Sequence, residues 1–200
     1  MVHTDARFSA AIERAVNEIE VHTDAEVVVV AAPSSGSYAD LAWMGGGGFG
    51  VAVLGFLCWS PIVFDAVWFP IDVLASGGFV GWVLARWPRL VVALAGDARR
   101  ARQVHEAALA AFTEENVHAT AGRTGLLVYV SALEGRVEVL PDQGLLGRIP
   151  GAKWNAVALR ADSVDGLVDG LHRLGTLLAT HLPPTGDNVD QIGNIPRVRT

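Results

Sequence analysis

The sequence predicts an α/β protein that is interrupted by a two-helix transmembrane hairpin. Two long apolar runs, residues 42–64 and 67–85, each come close to the roughly 20 residues that a helix needs to cross a ~30 Å hydrocarbon layer. A short β-branched run, Glu26–Ala32, and a second, fully apolar run at residues 126–130 predict strands that are covered on both faces. Between and around these runs, apolar residues recur with helical spacing, which completes the α/β pattern.

Composition agrees with a membrane segment set inside an otherwise ordinary domain. Hydrophobic residues make up 51% of the 200 residues, too many for a typical soluble domain. The net charge of −6 argues against general nucleic-acid binding, which needs a basic surface. Cys58 is the single cysteine, so neither an intramolecular disulfide nor a cysteine-based zinc site is expected. The first 20 residues lack the apolar centre of a signal peptide.

The stretch before the hairpin predicts one helix and one strand. Phe8, Ile12, Val16 and Ile19 follow one another at the three- and four-residue spacing of a helix with one buried face. The strand Glu26–Ala32 comes next, and a proline, serine and glycine segment ends it.

The hairpin carries features typical of packed membrane helices. Gly46 and Gly50 in the first run, and Gly77 and Gly81 in the second, have the four-residue spacing that lets membrane helices approach closely. Five tryptophans cluster in and beside the runs, as interfacial belts require: Trp43, Trp59, Trp68, Trp82 and Trp87.

Two carboxylates interrupt the apolar stretch. Asp65 lies between the runs and is expected in a turn at headgroup depth. Asp72 falls barely one turn inside the second helix, shallow enough to reach water. An interfacial position is therefore expected for Asp72, with a role in transport or proton relay as the alternative.

Positive charge predicts the orientation of the hairpin. Five arginines follow the second run closely, whereas the turn between the runs has neither lysine nor arginine: Arg86, Arg89, Arg99, Arg100 and Arg102. The positive-inside rule places the arginine-rich side in the cytoplasm. Because a hairpin returns the chain to the side from which it entered, residues 1–40 and 97–200 are both expected in the cytoplasm, with the hairpin in a bacterial-type inner (plasma) membrane.

The chain after the hairpin alternates helices and strands. Residues 86–96 are too short to span again and are expected to lie at the membrane interface. A helix over 97–118, a strand at 126–130, a turn at Glu134-Gly135 and a half-exposed strand at 136–140 follow. A short helix over 154–160 and a longer one capped by Ser163 come next, until Pro183 stops the pattern and the rest reads as a loop.

Candidate site residues are the carboxylates beside strand ends. Asp24 and Glu26 flank the start of the first strand, while Glu138 and Asp142 lie on or after the third. Hard cations need several converging oxygen ligands, so these four are candidate metal ligands, and solvated turn and edge charges are the alternative.

Other chemical motifs are not indicated. The histidines lack metal-ligand spacing such as H-E-x-x-H: His3, His22, His105, His118, His172 and His181. Ser131 and Ser163 lack a G-x-S-x-G context, and the glycines at 45–48 lack the Gly-Lys-Ser/Thr of a phosphate loop.

Three segments resemble the TPM domain family, also called thylakoid-lumen phosphatase-like or YgcG-like. RTGLLVYVSALEGRVEVLPDQGL, from Arg123, is similar to the second half of that domain, and HTDAEVVVVA, from His22, to its first strand. LHRLGTLLATHLPPTGDNVDQIGNIP, from Leu171, looks like the membrane-bound branch, in which a hydrophobic hairpin interrupts the domain.

The resemblance implies a small mixed sheet flanked by helices. It implies a TPM-like domain in two parts, residues 1–41 and 97–182, a transmembrane hairpin at 42–86 and an irregular tail at 183–200. For function it implies an accessory or interaction module for a membrane complex, with a protein partner in the membrane. The alternative is a divalent-metal-dependent, phosphatase-like hydrolase that uses the strand-end carboxylates, and the resemblance allows calcium or magnesium there. A small transporter or channel subunit is a third hypothesis.

Overall fold

The computed structural model describes residues 6–62, 64–120, 122–157, 159–185 and 192–199. The chain divides into two units, one formed by Met1–Ser35 with Ala101–Thr200 and the other by Gly36–Arg100. Within the described ranges there are eight α-helices: α1 Ala6–Glu20, α2 Ala39–Trp59, α3 Phe69–Arg86, α4 Pro88–Leu94, α5 Asp97–Glu114, α6 Gln143–Leu146, α7 Gly151–Ala156 and α8 Val164–His181. The described strands are β1 Glu26–Ala32, β2 Gly125–Ser131, β3 Arg136–Pro141 and β4 Arg197–Val198.

The first unit is built on a mixed four-stranded sheet in the order β3-β2-β1-β4. Strands β1 and β2 are parallel neighbours, with Val29 opposite Val128, although the whole second unit lies between them in sequence. Strand β3 pairs antiparallel to β2 through a turn in which Gly135 has a positive φ of 64°. The two predicted apolar strands are thus neighbours in one sheet, and the predicted turn at Glu134-Gly135 joins β2 to β3.

Helices cover both faces of the central strands. Alternate β1 residues such as Val27 and Val29 pack into one cluster with α1 and α8. The intervening residues Val28 and Val30 pack into a second cluster with α5. Every residue of β1 and β2 is therefore buried, as predicted for strands covered on both faces, and the polar Glu26 and Ser131 at their ends are buried with the apolar residues.

The second unit contains α2 and α3, which run antiparallel. The contacts show this direction, because Gly46 faces Gly77 and Gly81, whereas Gly50, later in α2, faces Val73, earlier in α3. The second unit also contains α4, which follows α3 directly.

Several predicted boundaries are wrong. The first apolar helix ends at Trp59 and not at residue 64, because Ser60 precedes Pro61 and takes an extended conformation. The helix expected over 154–160 occupies Gly151–Ala156 instead, starting after Pro150 and ending at Val157, whose backbone is extended. The helix expected to reach residue 118 ends at Glu114, and a short 3-10 turn follows the left-handed Asn116.

The C-terminal tail is not wholly irregular. Strand β4 adds two residues to the edge of the sheet, with Val30 opposite Arg197 and Ala31 opposite Val198. So short a strand has no periodicity that a sequence pattern can reveal. Residues 186–191 of the predicted loop lie outside the described residues.

Candidate functional site

The two long helices of the second unit pack backbone against backbone through glycine. A Cβ atom added at Gly46 would lie 2.4 Å from the carbonyl oxygen of Gly77, and one at Gly77 would lie 2.9 Å from that of Gly46. Gly81 is covered by the ring of Trp43, 2.8 Å from its virtual Cβ. At Gly46 and Gly77 the facing atoms belong to the backbone, so only glycine fits there, and this is the close packing that the spacing of Gly46, Gly50, Gly77 and Gly81 predicts.

The outer surface of this helix pair is almost wholly apolar. By length and composition, both Ala39–Trp59 and Ala66–Arg86 could cross a membrane. Only 17% and 11% of the most apolar stretch of each helix is buried. Large side chains point away from the pair on both helices, including Val51, Phe56, Leu74 and Phe79. At 1.5 Å per residue, 21 residues extend roughly 30 Å, the thickness of a hydrocarbon layer.

The two aspartates of the hairpin lie where the helices turn. Asp65 accepts a hydrogen bond from the backbone N–H of Val67 at 3.1 Å and so caps the short 3-10 turn Ala66–Trp68. Asp72 lies exposed in the first turn of α3, next to its unpaired N–H groups, where the helix dipole favours a carboxylate. Asp65 is thus the turn residue that the sequence predicts.

Of the four candidate metal ligands, three lie near one end of the sheet. Glu26 begins β1 opposite Gly125 of β2, and the N–H of Asp142 donates to the carbonyl of Gly125 at 2.9 Å. Asp24 precedes β1 by two residues. Glu138 pairs with Tyr129, three rungs along the ladder and therefore about 10 Å away from that end.

Each of the four carboxylates has a separate partner. Asp24 accepts hydrogen bonds from the N–H and the hydroxyl of Thr185, the latter at 2.7 Å. Glu26 is buried and accepts from the N–H of Ile192 at 3.4 Å. Glu138 lies 3.0 Å from Nδ1 of His105 on α5. In these three cases the carboxylate ties a neighbouring segment to the sheet.

Asp142 differs from the other three carboxylates in the surroundings of its two side-chain oxygens. Its Oδ1 accepts from the N–H of Gln143 at 2.7 Å, which caps α6, and lies 3.8 Å from the guanidinium of Arg123. Its Oδ2 is buried and has no hydrogen-bond partner among the described residues. Across those same residues, no group of three or more histidine, cysteine, aspartate or glutamate side chains is placed to hold a metal ion.

A serine and glutamate network occupies the opposite, carboxyl end of β1 and β2. The hydroxyl of Ser35 donates to the hydroxyl of Ser131 at 2.6 Å, and Ser131 in turn donates to Glu134. The N–H of Ser35 donates to Oε1 of Glu134 at 3.1 Å. Glu134 is only 4% exposed, so these donors replace the water that its carboxylate loses on burial.

The sequence motifs do not predict this network, although the sequence contains a signal for it. Ser131 is fully buried, and the sequence pattern predicts for Glu134 only a turn. Parallel strands bring their carboxyl ends together, so Ser35 after β1 and Ser131 at the end of β2 become neighbours once the pairing is known. The three-residue separation of Ser131 and Glu134, across the turn that follows β2, also indicates that their side chains can meet.

A solvent-open groove of about 510 Å³ lies between α1 and α8. His172 and Glu18 face each other across it, with Nε2 and Oε2 3.2 Å apart, and His22 bonds to the carbonyl of Glu18 at 2.8 Å. This pair is an ion pair only when His172 is protonated. The contact between His172 and Glu18 connects α8 to α1, whereas the His22 contact lies at the end of α1.

An exposed ion pair lies after the seventh helix. Arg160 donates to Asp162 through Nε at 2.9 Å. This hydrogen bond, with the positive charge of the guanidinium, lowers the pKa of the Asp162 carboxyl below its ordinary value. Because the pair is surrounded by water, it contributes little to stability.

Comparison with known proteins bears on the fold alone. No family model matches the chain, and no curated protein matches it. One solved structure is similar: the NMR structure of the BA42 protein from the psychrophilic bacterium Bizionia argentinensis sp. nov., with a TM-score of 0.56 and 16% sequence identity. The match covers 98% of this chain and 94% of that one. The chain thus has a mixed α/β fold that is similar to the fold of BA42.

Proposed function

We propose that this chain is a membrane-anchored protein whose α/β unit is TPM-like and serves as an accessory or interaction module for a membrane complex. The observation that carries the proposal is the helix pair α2 and α3. Glycine fills its interior and large apolar side chains cover its exterior. A helix from a soluble core has the opposite arrangement, with its large apolar residues buried.

The tryptophans and arginines at the two ends of the helix pair have the distribution that a bilayer requires. Trp59 and Trp68 lie at the turn end, and Trp43, Trp82 and Trp87 at the other, as headgroup-level belts require. Two arginines, Arg86 and Arg89, lie at the second end, whereas the turn end has neither lysine nor arginine. We therefore infer that this end, and the α/β unit with it, lies in the cytoplasm of a cell with a bacterial-type plasma membrane.

Three glycines that do not pack between α2 and α3 support the proposal of a protein partner within the membrane. Virtual Cβ atoms at Gly47, Gly48 and Gly78 have no neighbours within 4 Å, so these glycines take no part in the packing of α2 on α3. Small residues on an outer face allow another membrane helix to approach closely.

Photo-crosslinking in native membranes tests this partnership. A benzoyl-phenylalanine placed at Phe79, which is exposed on α3, should give one discrete protein adduct, and Gly48→Leu should reduce its yield because the larger side chain blocks close approach. Asp169, exposed on α8, is the matched control position outside the hairpin. Adducts with lipid alone at position 79 would contradict a partner in the membrane.

A second candidate is a phosphatase-like hydrolase that uses a calcium or magnesium ion. The observation that favours it is the buried, unpartnered Oδ2 of Asp142, with Glu26 and Asp24 near the same end of the sheet. Hard cations prefer such oxygen ligands. Calorimetric titration with Ca²⁺ and Mg²⁺ decides it: binding that Asp142→Asn abolishes supports a metal site, and the absence of binding removes this candidate.

A further inference from the structure

We propose that α4 and the two arginines beside its start form a binding surface for anionic phospholipid headgroups. This inference rests on the proposed function, because the surface meets a bilayer only if the hairpin α2 and α3 is inserted in one.

The first observation is that α4 has one covered face and one bare apolar face. Val91 and Val92 are buried, at 3% and 2% exposure. Trp87, Leu90 and Leu94 follow one another at three- and four-residue spacing, so they share the other face, and their exposures are 61%, 45% and 71%. Large apolar side chains left bare together on so short a helix indicate a surface that something else covers.

The second observation is that α4 follows directly on the second apolar helix of the hairpin. Trp87 ends α3 and begins α4, so no linker separates the two helices. If α3 spans the hydrocarbon layer, α4 begins at the depth where the headgroups lie. A short amphipathic helix with tryptophan and leucine on one face is typical of segments that lie in this layer.

The third observation is the charge beside the bare face. Arg86 and Arg89 are exposed, and neither has an ion-pair partner within the described part of the chain. The other two arginines of this unit differ, since Arg99 is paired with Asp40 at 2.8 Å and Arg100 with Asp97 at 3.1 Å.

The position of Arg86 suits a phosphate ligand. Its guanidinium lies over the ring of Trp82, 5.0 Å from the centroid, which orients the group but leaves its N–H edge unused by the ring. A planar guanidinium held in this way presents two parallel donors, the arrangement that binds phosphate oxygens. A ligand that covers an apolar face and also offers phosphate oxygens is a phospholipid. The positive charge of the two arginines favours an anionic one.

The test uses the full chain in lipid nanodiscs. A Cys58→Ser, Leu94→Cys protein is labelled at position 94 with an environment-sensitive nitrobenzoxadiazole dye. Nanodiscs of phosphatidylcholine and phosphatidylglycerol are prepared with a doxyl quencher on one lipid or on the other, at equal mole fractions. We expect the doxyl phosphatidylglycerol to quench the dye more strongly. Since a basic residue near the membrane surface contributes about 1 kcal/mol, the preference should fall by about five-fold for each arginine removed.

Matched variants separate binding at this surface from general attraction. Arg86→Gln with Arg89→Gln should remove the preference, whereas Arg7→Gln with Arg14→Gln, which removes the same charge from α1, should leave it unchanged. Equal quenching by the two lipids, a preference that survives loss of Arg86 and Arg89, or a dye that neither lipid quenches would each overturn the inference. Failure of the chain to enter nanodiscs would overturn the proposed function itself, and this inference with it.

Discussion

At the scale of single residues, Glu134 shows how a buried charge is tolerated in this fold. Its carboxylate lies at the carboxyl ends of β1 and β2 and accepts hydrogen bonds from the N–H of Ser35 and the hydroxyl of Ser131. Burial of a carboxylate without such donors costs several kcal/mol. The glutamate therefore fixes the segment that follows β1 against the turn that follows β2.

Replacing Glu134 should destabilise the α/β unit strongly. We expect Glu134→Ala to lower the free energy of unfolding by about 3 kcal/mol, because it leaves the part-buried N–H of Ser35 and the buried hydroxyl of Ser131 without an acceptor. Urea denaturation of the detergent-solubilised protein, followed by circular dichroism, measures the change. Glu106→Ala, at an exposed position on α5, is the control and should change stability by no more than about 0.5 kcal/mol. Equal effects of the two substitutions would show that the network does not hold the unit together.

At the scale of elements, the sheet depends on two strands that meet across a long insertion. Val128 lies at the centre of β2, paired with Val29 of β1, and is completely buried. Neither strand can be exposed on either face without leaving a continuous apolar surface in water.

A charge in the central strand should unfold the sheet. We expect Val128→Asp to cost several kcal/mol, since nothing apolar around it can pair with a carboxylate. Val21→Asp, at a position that is 71% exposed, introduces the same charge and should be tolerated. Hydrogen exchange of the β1 and β2 amides distinguishes the two cases. Native protection in the Val128→Asp protein would contradict the account of this strand.

The hairpin offers a comparison of two glycines that are two residues apart. Gly46→Ile should separate α2 from α3, because its side chain would overlap the Gly77 carbonyl, whereas Gly48→Ile meets nothing within 4 Å. We expect the first variant to lower the midpoint of unfolding in mixed detergent and SDS micelles, and the second to leave it near that of the unsubstituted protein. Similar midpoints would mean that glycine contact does not hold the two helices together.

Sequence patterns predict elements here when the pattern is long or its residues share one environment. Strands β1 and β2 were predictable because nearly all their residues are apolar. Helix α8 was predictable because a capping serine, Ser163, precedes its apolar residues, and this serine does accept a hydrogen bond from the N–H of Gly166. Strand β4 was not, since its two residues gain their conformation from the edge of β1. The hydrogen-bond partners of Asp24 and Glu134 could not be predicted either, because tertiary contacts bring these residues to partners that are distant in sequence.

At the scale of the whole molecule, the positions of the arginines predict a topology. Cys58→Ser chains that carry one new cysteine, at Val67 in the turn of the hairpin or at Asp169 on α8, distinguish the two orientations. Both positions are exposed. In intact cells, a membrane-impermeant maleimide should label Cys at 67 and leave Cys at 169 unlabelled until the cells are lysed. Labelling of the second position alone would reverse the assignment.

The central claim is that α2 and α3 cross a membrane, and alkaline carbonate extraction of cell membranes tests it most directly. The unsubstituted chain should stay in the membrane pellet. A variant with Val51→Arg and Phe79→Arg should be released or degraded, because each arginine near the middle of a span opposes insertion by roughly 3 kcal/mol. Both positions are exposed, so two arginines would be harmless on a soluble surface. Release of the unsubstituted chain into the supernatant would contradict the account.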